Sequence, residues 1–522
     1  MTNNSIIQVE REVLIVQIEP PQNTDGGDYY YRTHAPGVAM TQQEGVYVIN
    51  LTNEHRNKFE VLKQADVLIL KNICDPDFLP LINKRKQQGK LTIYEIADDL
   101  GALQPWNPVY FFYQNTENQA LVHRLASYCD ALQFTCSELK NLYGHLNRKS
   151  MVFPNQISYV PPERSFSQKE NIIIGWAGSH GHMEDIEAIA PSLIAWMKSR
   201  PDVCLHLMCS EPIWSLFNAL PNKNKKHIQT GSPEDYYYFL SGIDIGLAPL
   251  NNTPFNRSRS DVKFLEYAVS GVVPVVQNLQ PYLESVIHGR TGYLFKDSDE
   301  LISILDLLAN DPESARRVAC TARQHVIEHR IETAHAEERL FFYREQFNGN
   351  HDSHYIGSYS REGLFKAWSN LEGALTLGRH LKLRSTKFET LLHAGLIAMQ
   401  VNKDKALARH LFEEAAALDP ENYLPHLFGS PVSPDPVKSL GKAVELRPDS
   451  LKAWIMLGEA YAKEGKIKES FESYGRAADI FPEYEVPFLR AGKLLQKIGE
   501  TSKAQELFEK ASQLLIPSAV HH

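Results

Sequence analysis

Short apolar runs alternate with amphipathic stretches through about residue 347, and beyond that point only amphipathic stretches remain. Val13-Leu14-Ile15-Val16-Gln17-Ile18, closed by Pro20-Pro21, reads as a buried strand. Residues 46–49, 67–70, 91–96 and 131–135 repeat that pattern, with helical spacing over 57–64, 79–88 and 118–128 and a helix starting at Ser137. Asp25-Gly26-Gly27-Asp28 is a turn cluster leading into tyrosines and Arg32. A Pro-rich polar stretch, Tyr159 to Arg164, reads as a hinge, after which the alternation restarts. Strands are expected at 171–176, 203–208, 243–248, 272–276 and 292–295. Helices are expected at 185–199, 264–270 and 299–309, with one long helical stretch over 312–346. Two such units predict two Rossmann-like lobes, each a parallel sheet with helices on both faces.

No strand pattern follows Asn348. A repeat with a period of 34 takes over: Trp454, Gly458, Gly465, Ser470, Tyr474 and Ala477 recur as Phe488, Gly492, Gly499, Ala504, Phe508 and Ala511. Small residues let paired helices approach, and Pro482 ends a pair, as in tetratricopeptide repeats. Ala408, Phe412, Ala415 and Pro420 form an earlier imperfect copy, and Ala443 with Pro448 closes a shortened one. The expected class is α/β followed by all-α. The lobes span 1–165 and 166–347, with a linker at 348–375 and a repeat domain at 376–522.

At 522 residues the chain exceeds one core. A net charge of −9 argues against an extended nucleic-acid surface but leaves room for a local basic pocket. The six cysteines include no Cys-x-x-Cys pair, which disfavours a disulfide scaffold or zinc site and suits a reducing cytosol. No signal peptide and no apolar run near twenty residues is seen, so the expectation is a cytoplasmic protein without a transmembrane segment.

Several segments carry candidate chemistry. Gly175-Trp176-Ala177-Gly178-Ser179 ends a strand in small residues ahead of a helix. Backbone N–H groups of Gly178 and Ser179 could cradle a diphosphate there, although a tight turn needs the same residues. His180 and His182 follow, either contacting ligand or orienting the loop. Arg257, Arg259 and Lys263 offer fixed cations to a leaving diphosphate. Glu266 lies three residues beyond Lys263, so both share a helix face, and a plain surface ion pair is the simpler alternative. Asp98 and Asp99 end a strand, where they could bind acceptor hydroxyls, act as a base, or merely cap a turn. Tyr236-Tyr237-Tyr238 reads as packing, and Asp75-Pro76-Asp77 as a turn and helix start rather than a metal motif.

The 171–295 region, and more loosely the first 345 residues or so, resembles nucleotide-sugar glycosyltransferases of the GT-B fold, closest to family 4-type retaining enzymes. The resemblance implies a hexosyltransferase taking sugar from a nucleotide-diphosphate sugar to a protein or glycan acceptor, with no metal or other cofactor. It implies that Glu266 holds the ribose hydroxyls as the second member of a Glu-x7-Glu signature. The first member falls on Ser258. It places Gly26 and Gly27 near the donor phosphate or acceptor, and the nucleotide base against backbone near Gly231. The repeats then recruit the acceptor or a protein partner, or mediate self-association. The alternative is a catalytically degenerate GT-B protein serving as an interaction scaffold.

Overall fold

The computed structural model describes residues 13–20, 26–107, 109–164, 171–348, 380–382 and 386–515. The apolar runs form strands because almost every side chain on both of their faces is buried, as in parallel sheets covered by helices. The first sheet holds β1 (Val13–Glu19), β2 (Val46–Thr52), β3 (Val67–Lys71), β4 (Leu91–Ile96), β5 (Ala131–Phe134), β6 (Ser150–Val152) and β13 (His380–Lys382). The second holds β7 (Ile172–Ala177), β8 (Val203–Met208), β9 (Lys225–Ile228), β10 (Ile245–Ala248), β11 (Val273–Gln277) and β12 (Tyr293–Phe295). Their orders are β13-β2-β1-β3-β4-β5-β6 and β12-β11-β10-β7-β8-β9, and the pairings are parallel. Chain order reverses around β1 and again around β7. At each reversal the connections diverge and open a crevice beyond the strands' carboxyl ends. This is the expected pair of Rossmann-like lobes.

Three local readings need correction. Gly27 and Asp28, read as part of a turn, open an unexpected helical stretch to Met40, with Tyr30–His34 wound as a π-helix between Gly27–Tyr29 and Ala35–Met40. Burial of Tyr29, Tyr31, Ala35 and Met40 overrides the weak local propensity of a Gly- and Tyr-rich stretch. Asp25 lies outside the described residues. The long stretch at 312–346 is two helices, Pro312–His329 and Glu332–Asn348. Between them Ile331 pairs with Ile157, so the chain crosses back at the hinge. Glu332–Asn348 then packs Ala336, Leu340 and Tyr343 into the first lobe's core with Ile15, Met40 and Val48. Finally, β13 adds a strand where none was expected, pairing with β2 from His380↔Val48 to Lys382↔Asn50. Three residues are too few for periodicity to register. The 349–375 part of the expected linker and residues 376–379 of the expected repeat domain lie outside the described residues.

Four helix pairs follow, from Lys387–Gln400 with Lys405–Leu418 to Glu485–Lys497 with Thr501–Leu515. Added side chains at Gly395, Gly458 and Gly492 would come within 2.7, 2.5 and 2.6 Å of the rings of Phe412, Tyr474 and Phe508. The same small-against-aromatic contact thus recurs in three pairs. The array packs on the first lobe through one continuous apolar core that joins Phe59, Leu62 and Phe78 to Phe388, Leu424 and Leu451. Polar ties surround it. Arg490 grips Glu117 with two hydrogen bonds of 2.9 and 2.6 Å. The Arg447 guanidinium lies 3.3 Å from the centre of the Phe59 ring. Asp77, read as a helix start, is the N-cap of Phe78–Gln87 and also reaches the array: its carboxylate accepts from Ser450 Oγ and Lys452 N, both at 2.8 Å. Asp77→Ala strands those donors in a buried interface, and we expect a loss of about 2 kcal/mol, read as a lower midpoint in denaturant unfolding.

Candidate active site

The helix Val262–Val269 is strongly amphipathic and packs into the second lobe through Phe264, Leu265, Tyr267 and Ala268. Its start is fixed by Asp261, whose two carboxylate oxygens accept from Arg330 at 2.6 and 3.2 Å. Arg330 also donates to Asn155 O at 2.7 Å and Gln156 Oε1 at 2.8 Å, strapping this helix to the hinge. Glu266 is buried. Its Oε1 accepts from the Tyr31 hydroxyl at 2.9 Å, and its Oε2 from the Tyr236 hydroxyl at 2.7 Å. Lys263 Nζ sits 3.4 Å from the same Oε2, 2.9 Å from Tyr236 Oη and 4.5 Å from the centre of its ring. Burial and the adjacent Glu266 push the Tyr31 and Tyr236 phenols well above the usual range, so both stay protonated donors. Tyr31 belongs to the first lobe, so this cluster closes across the crevice.

Sequence reading missed both tyrosines. Tyr31 sits in the unexpected helix, and Tyr236 was read as packing. Of its neighbours, Tyr237 does pack, edge-on against Tyr159 at 4.9 Å, while Tyr238 is exposed.

The arginine-bearing loop is organised from beneath. His182 Nδ1 pairs with Asp185 Oδ2 at 2.9 Å, and Asp185 Oδ1 accepts from Asn251 N at 2.8 Å and Asn256 Nδ2 at 2.9 Å. Burial, then the nearby Arg259, push the His182 imidazole below its ordinary value. A neutral imidazole bonded to Asp185 fits loop orientation better than ligand contact. His180 is exposed. Arg257 donates to Asn252 Oδ1 at 2.9 Å. Arg259 lies over the Phe255 ring at 5.4 Å, and among the described residues its guanidinium has no hydrogen bond or ion pair. Ser258 is buried, its hydroxyl donating to Phe255 O at 2.9 Å. Its side chain is thus turned into its own loop, while its backbone oxygen accepts from Cys136 Sγ of the first lobe at 3.2 Å.

Gly178 is demanded by packing: a side chain there would come within 2.6 Å of the Trp176 ring. Its N–H donates to Met208 O at 3.2 Å and so is not free for a phosphate, which leaves Ser179, exposed at the head of the next turn, as the open member of the pair. Gly231 leaves room for Asp235, whose carboxylate a side chain would meet at 2.4 Å; Ser232 and Asp235 then form a capping box for Pro233–Gly242. Gly26 and Gly27 open the helical stretch of the first lobe, and a side chain at Gly27 would meet nothing within 4 Å.

Asp98 and Asp99 part company. Asp99 is buried and accepts from the Tyr143 hydroxyl at 2.6 Å. Asp98 is half-buried and, among the described residues, its carboxylate has no hydrogen bond or ion pair. Burial, then the like charge of Asp28, push its carboxyl up to about 6 against the pull of Arg259 and Lys71. Lys71, missed by sequence reading, is buried between Glu19 at 2.5 Å and Asp28 at 2.9 Å. Lys263, Glu266, Arg259 and Asp98 thus come together at the crevice, while Asp99, Gly231 and His182 serve the scaffold around it.

This crevice joins a cation-bearing loop and a carboxylate helix in the second lobe, the part of the chain where a known family is found. Residues 191–336 match the glycosyl transferase-like family. The chain therefore carries a glycosyl transferase-like domain, and residues 451–484 match a tetratricopeptide repeat. Among curated proteins no sequence matches the chain. Solved structures with a similar fold include a sucrose-phosphate synthase from Thermosynechococcus elongatus, at 14% identity and TM-score 0.49, covering 65% of this chain and 100% of that one. HepE from Anabaena, in complex with UDP, is 12% identical with TM-score 0.49 over 64% of this chain and 100% of its own. A glycosyltransferase from Rickettsia africae gives 12% and 0.49 over 64% of this chain and 98% of its own. Helices Met183–Lys198 and Val262–Val269 flank the transferase-like domain's sheet, and the candidate residues Arg257, Arg259, Lys263 and Glu266 all lie inside the matched span.

Proposed function

We propose that the protein transfers a hexosyl group, with retention, from a nucleotide-diphosphate sugar to a hydroxyl of a protein or glycan acceptor. The observation that carries this reading is the approach of opposite charges, Arg259 on the second lobe and Asp98 on the first, with Lys263 paired to Glu266 on the helix that follows Arg259. Lys263 and Arg259 stabilise the charge that builds on the departing β-phosphate. Glu266 takes the ribose hydroxyls in exchange for the Tyr31 hydroxyl it now binds. The acceptor oxygen bonds to the anomeric carbon from the side the phosphate leaves, and its proton passes to the departing phosphate oxygen. Asp98, ionised, holds that hydroxyl in place. These cations take the place of a divalent ion, so a chelator should leave the transfer rate unchanged in a stopped assay.

The test is turnover and nucleotide binding across UDP-, GDP- and ADP-sugars. The competing reading, a degenerate transferase acting as a scaffold, draws on Ser258 being turned into its own loop. Absence of both binding and turnover would establish it. For protein partners the repeats retain the second helices of their pairs, where Leu407, Leu418 and Phe471 are exposed.

A pH profile tests Asp98. Its carboxyl titrates near 6 in the folded chain, so activity that needs the carboxylate falls as pH drops through that value. Asp98→Asn should lower the rate and abolish that acid limb. The sign for stability is opposite. A carboxyl raised in the folded state favours folding most below its unfolded pKa, and this contribution disappears as pH rises through about 6. At pH 7.5 the Asn variant is expected to melt a few degrees higher than wild type.

A further inference from the structure

Four large apolar side chains stand at the surface of the first lobe beside this crevice. They are Trp106, Val109, Phe111 and Phe112, and Phe111 keeps 80% of its area exposed. The backbone from Phe112 onward is tied at several points. Tyr113 is buried and its hydroxyl donates to Asn72 O at 3.3 Å. Gln114 Nε2 donates to Gly101 O at 2.8 Å, and Asn118 Nδ2 to Phe112 O at 2.8 Å. Leu103 and Tyr113 pack with Phe255, which comes from the arginine-bearing loop of the other lobe. The aromatic group is thus anchored to both walls of the crevice. Beside Tyr113, a cavity of about 90 Å³ is lined also by Asp98, Gly101 and Gln119. A clustered apolar surface on a rigid support is the mark of a binding site rather than of incomplete packing.

Charge decides what covers it. From residue 91 to 123 the sequence contains no Lys or Arg, while Glu95, Asp98, Asp99 and Glu117 are acidic, Glu117 being paired with Arg490 of the array. Anionic membranes and phosphate-rich polymers are bound through cations, which this segment lacks. Gln104 and Gln119 supply amides instead. An uncharged sugar ring offers an apolar C–H face and a rim of hydroxyls. Aromatic faces suit the first, and amides and carboxylates suit the second.

We propose that Trp106, Phe111 and Phe112 form a stacking platform for uncharged sugar residues of an acceptor chain, which it feeds toward Asp98. This makes the acceptor a neutral glycan and rests on the transferase reading. The experiment is saturation-transfer NMR on the full-length protein with neutral hexasaccharides of glucose, mannose, galactose and N-acetylglucosamine. UDP and GDP binding are measured in the same samples. At least one saccharide is expected to receive saturation at its ring C–H protons. Phe111→Ala should weaken its binding at least about fivefold and leave nucleotide binding unchanged, while Phe111→Tyr, which keeps a ring, should bind as wild type does. Residue 111 is mostly exposed, so these variants fold. Silence from every saccharide overturns the proposal, as does equal binding by Phe111→Ala. Sedimentation with phosphatidylcholine vesicles that Phe111→Ala abolishes, without saccharide binding, assigns the surface to lipid and also overturns it. Saccharide binding that Phe111→Ala weakens, in a protein that binds no nucleotide, upholds the platform and removes the transferase.

Discussion

Lys263→Ala is expected to lower kcat/KM for a nucleotide-sugar donor about 100-fold without unfolding the protein. The ammonium is partly exposed and contributes little packing, so a thermal melt should move little. Its value lies in where it is held. Tyr236 presents both a ring face at 4.5 Å and a hydroxyl at 2.9 Å, which keeps the cation at the crevice instead of letting it swing into solvent. An alanine leaves the departing diphosphate with Arg259 alone. Glu266→Ala should cost at least tenfold, mostly in KM, if the carboxylate serves ribose binding. Steady-state kinetics on the two variants check both statements. Unchanged turnover in both would remove the site assignment.

The second large effect concerns the helical array. A chain cut before Lys387 should be recovered almost entirely as aggregate. The cut bares the faces of Phe59, Leu62 and Phe78 that share a core with Phe388, Leu424 and Leu451. It also strands buried charges: Lys58 and Asp75 lie 3.7 Å apart at this boundary. Burial raises the Asp75 carboxyl, but Lys452 of the array and Lys58 outweigh it and hold it low. Without Lys452 the balance turns against the carboxylate. Soluble yield and size-exclusion profiles of the full and shortened chains decide this. A monomeric, folded 1–386 fragment would show that the array is an attachment and not a part of the lobe.

Long, two-sided apolar runs made β1, β3 and β4 legible, since only a fully covered parallel strand pays for such composition. The repeats were legible through Gly458 and Gly492, because a close helix pair tolerates nothing larger against Tyr474 and Phe508. What escaped was tertiary. Tyr31 lies in a helix whose local propensity is poor and whose reason is burial. Tyr236 looks like any aromatic at helical spacing until Glu266 appears beside its hydroxyl. Asp98 and Asp99 are indistinguishable in sequence; only the fold hands one to Tyr143 and leaves the other bare. Asp77 likewise read as a local turn residue, because its partners lie more than 370 residues away.

The strand β13 has a consequence for synthesis. It closes the edge of a sheet whose other strands were complete by β6, and the helix pairs that cover the same lobe end at Leu515. At 5–20 residues per second, the roughly 230 residues from β6 to the end of β13 take about 10–50 s to emerge. Through that interval the earliest translated portion waits with an open sheet margin, a template for pairing with a neighbouring nascent chain. Polysomes crowded with such unfinished margins would depend on a holding chaperone, and slowing elongation would deepen that dependence.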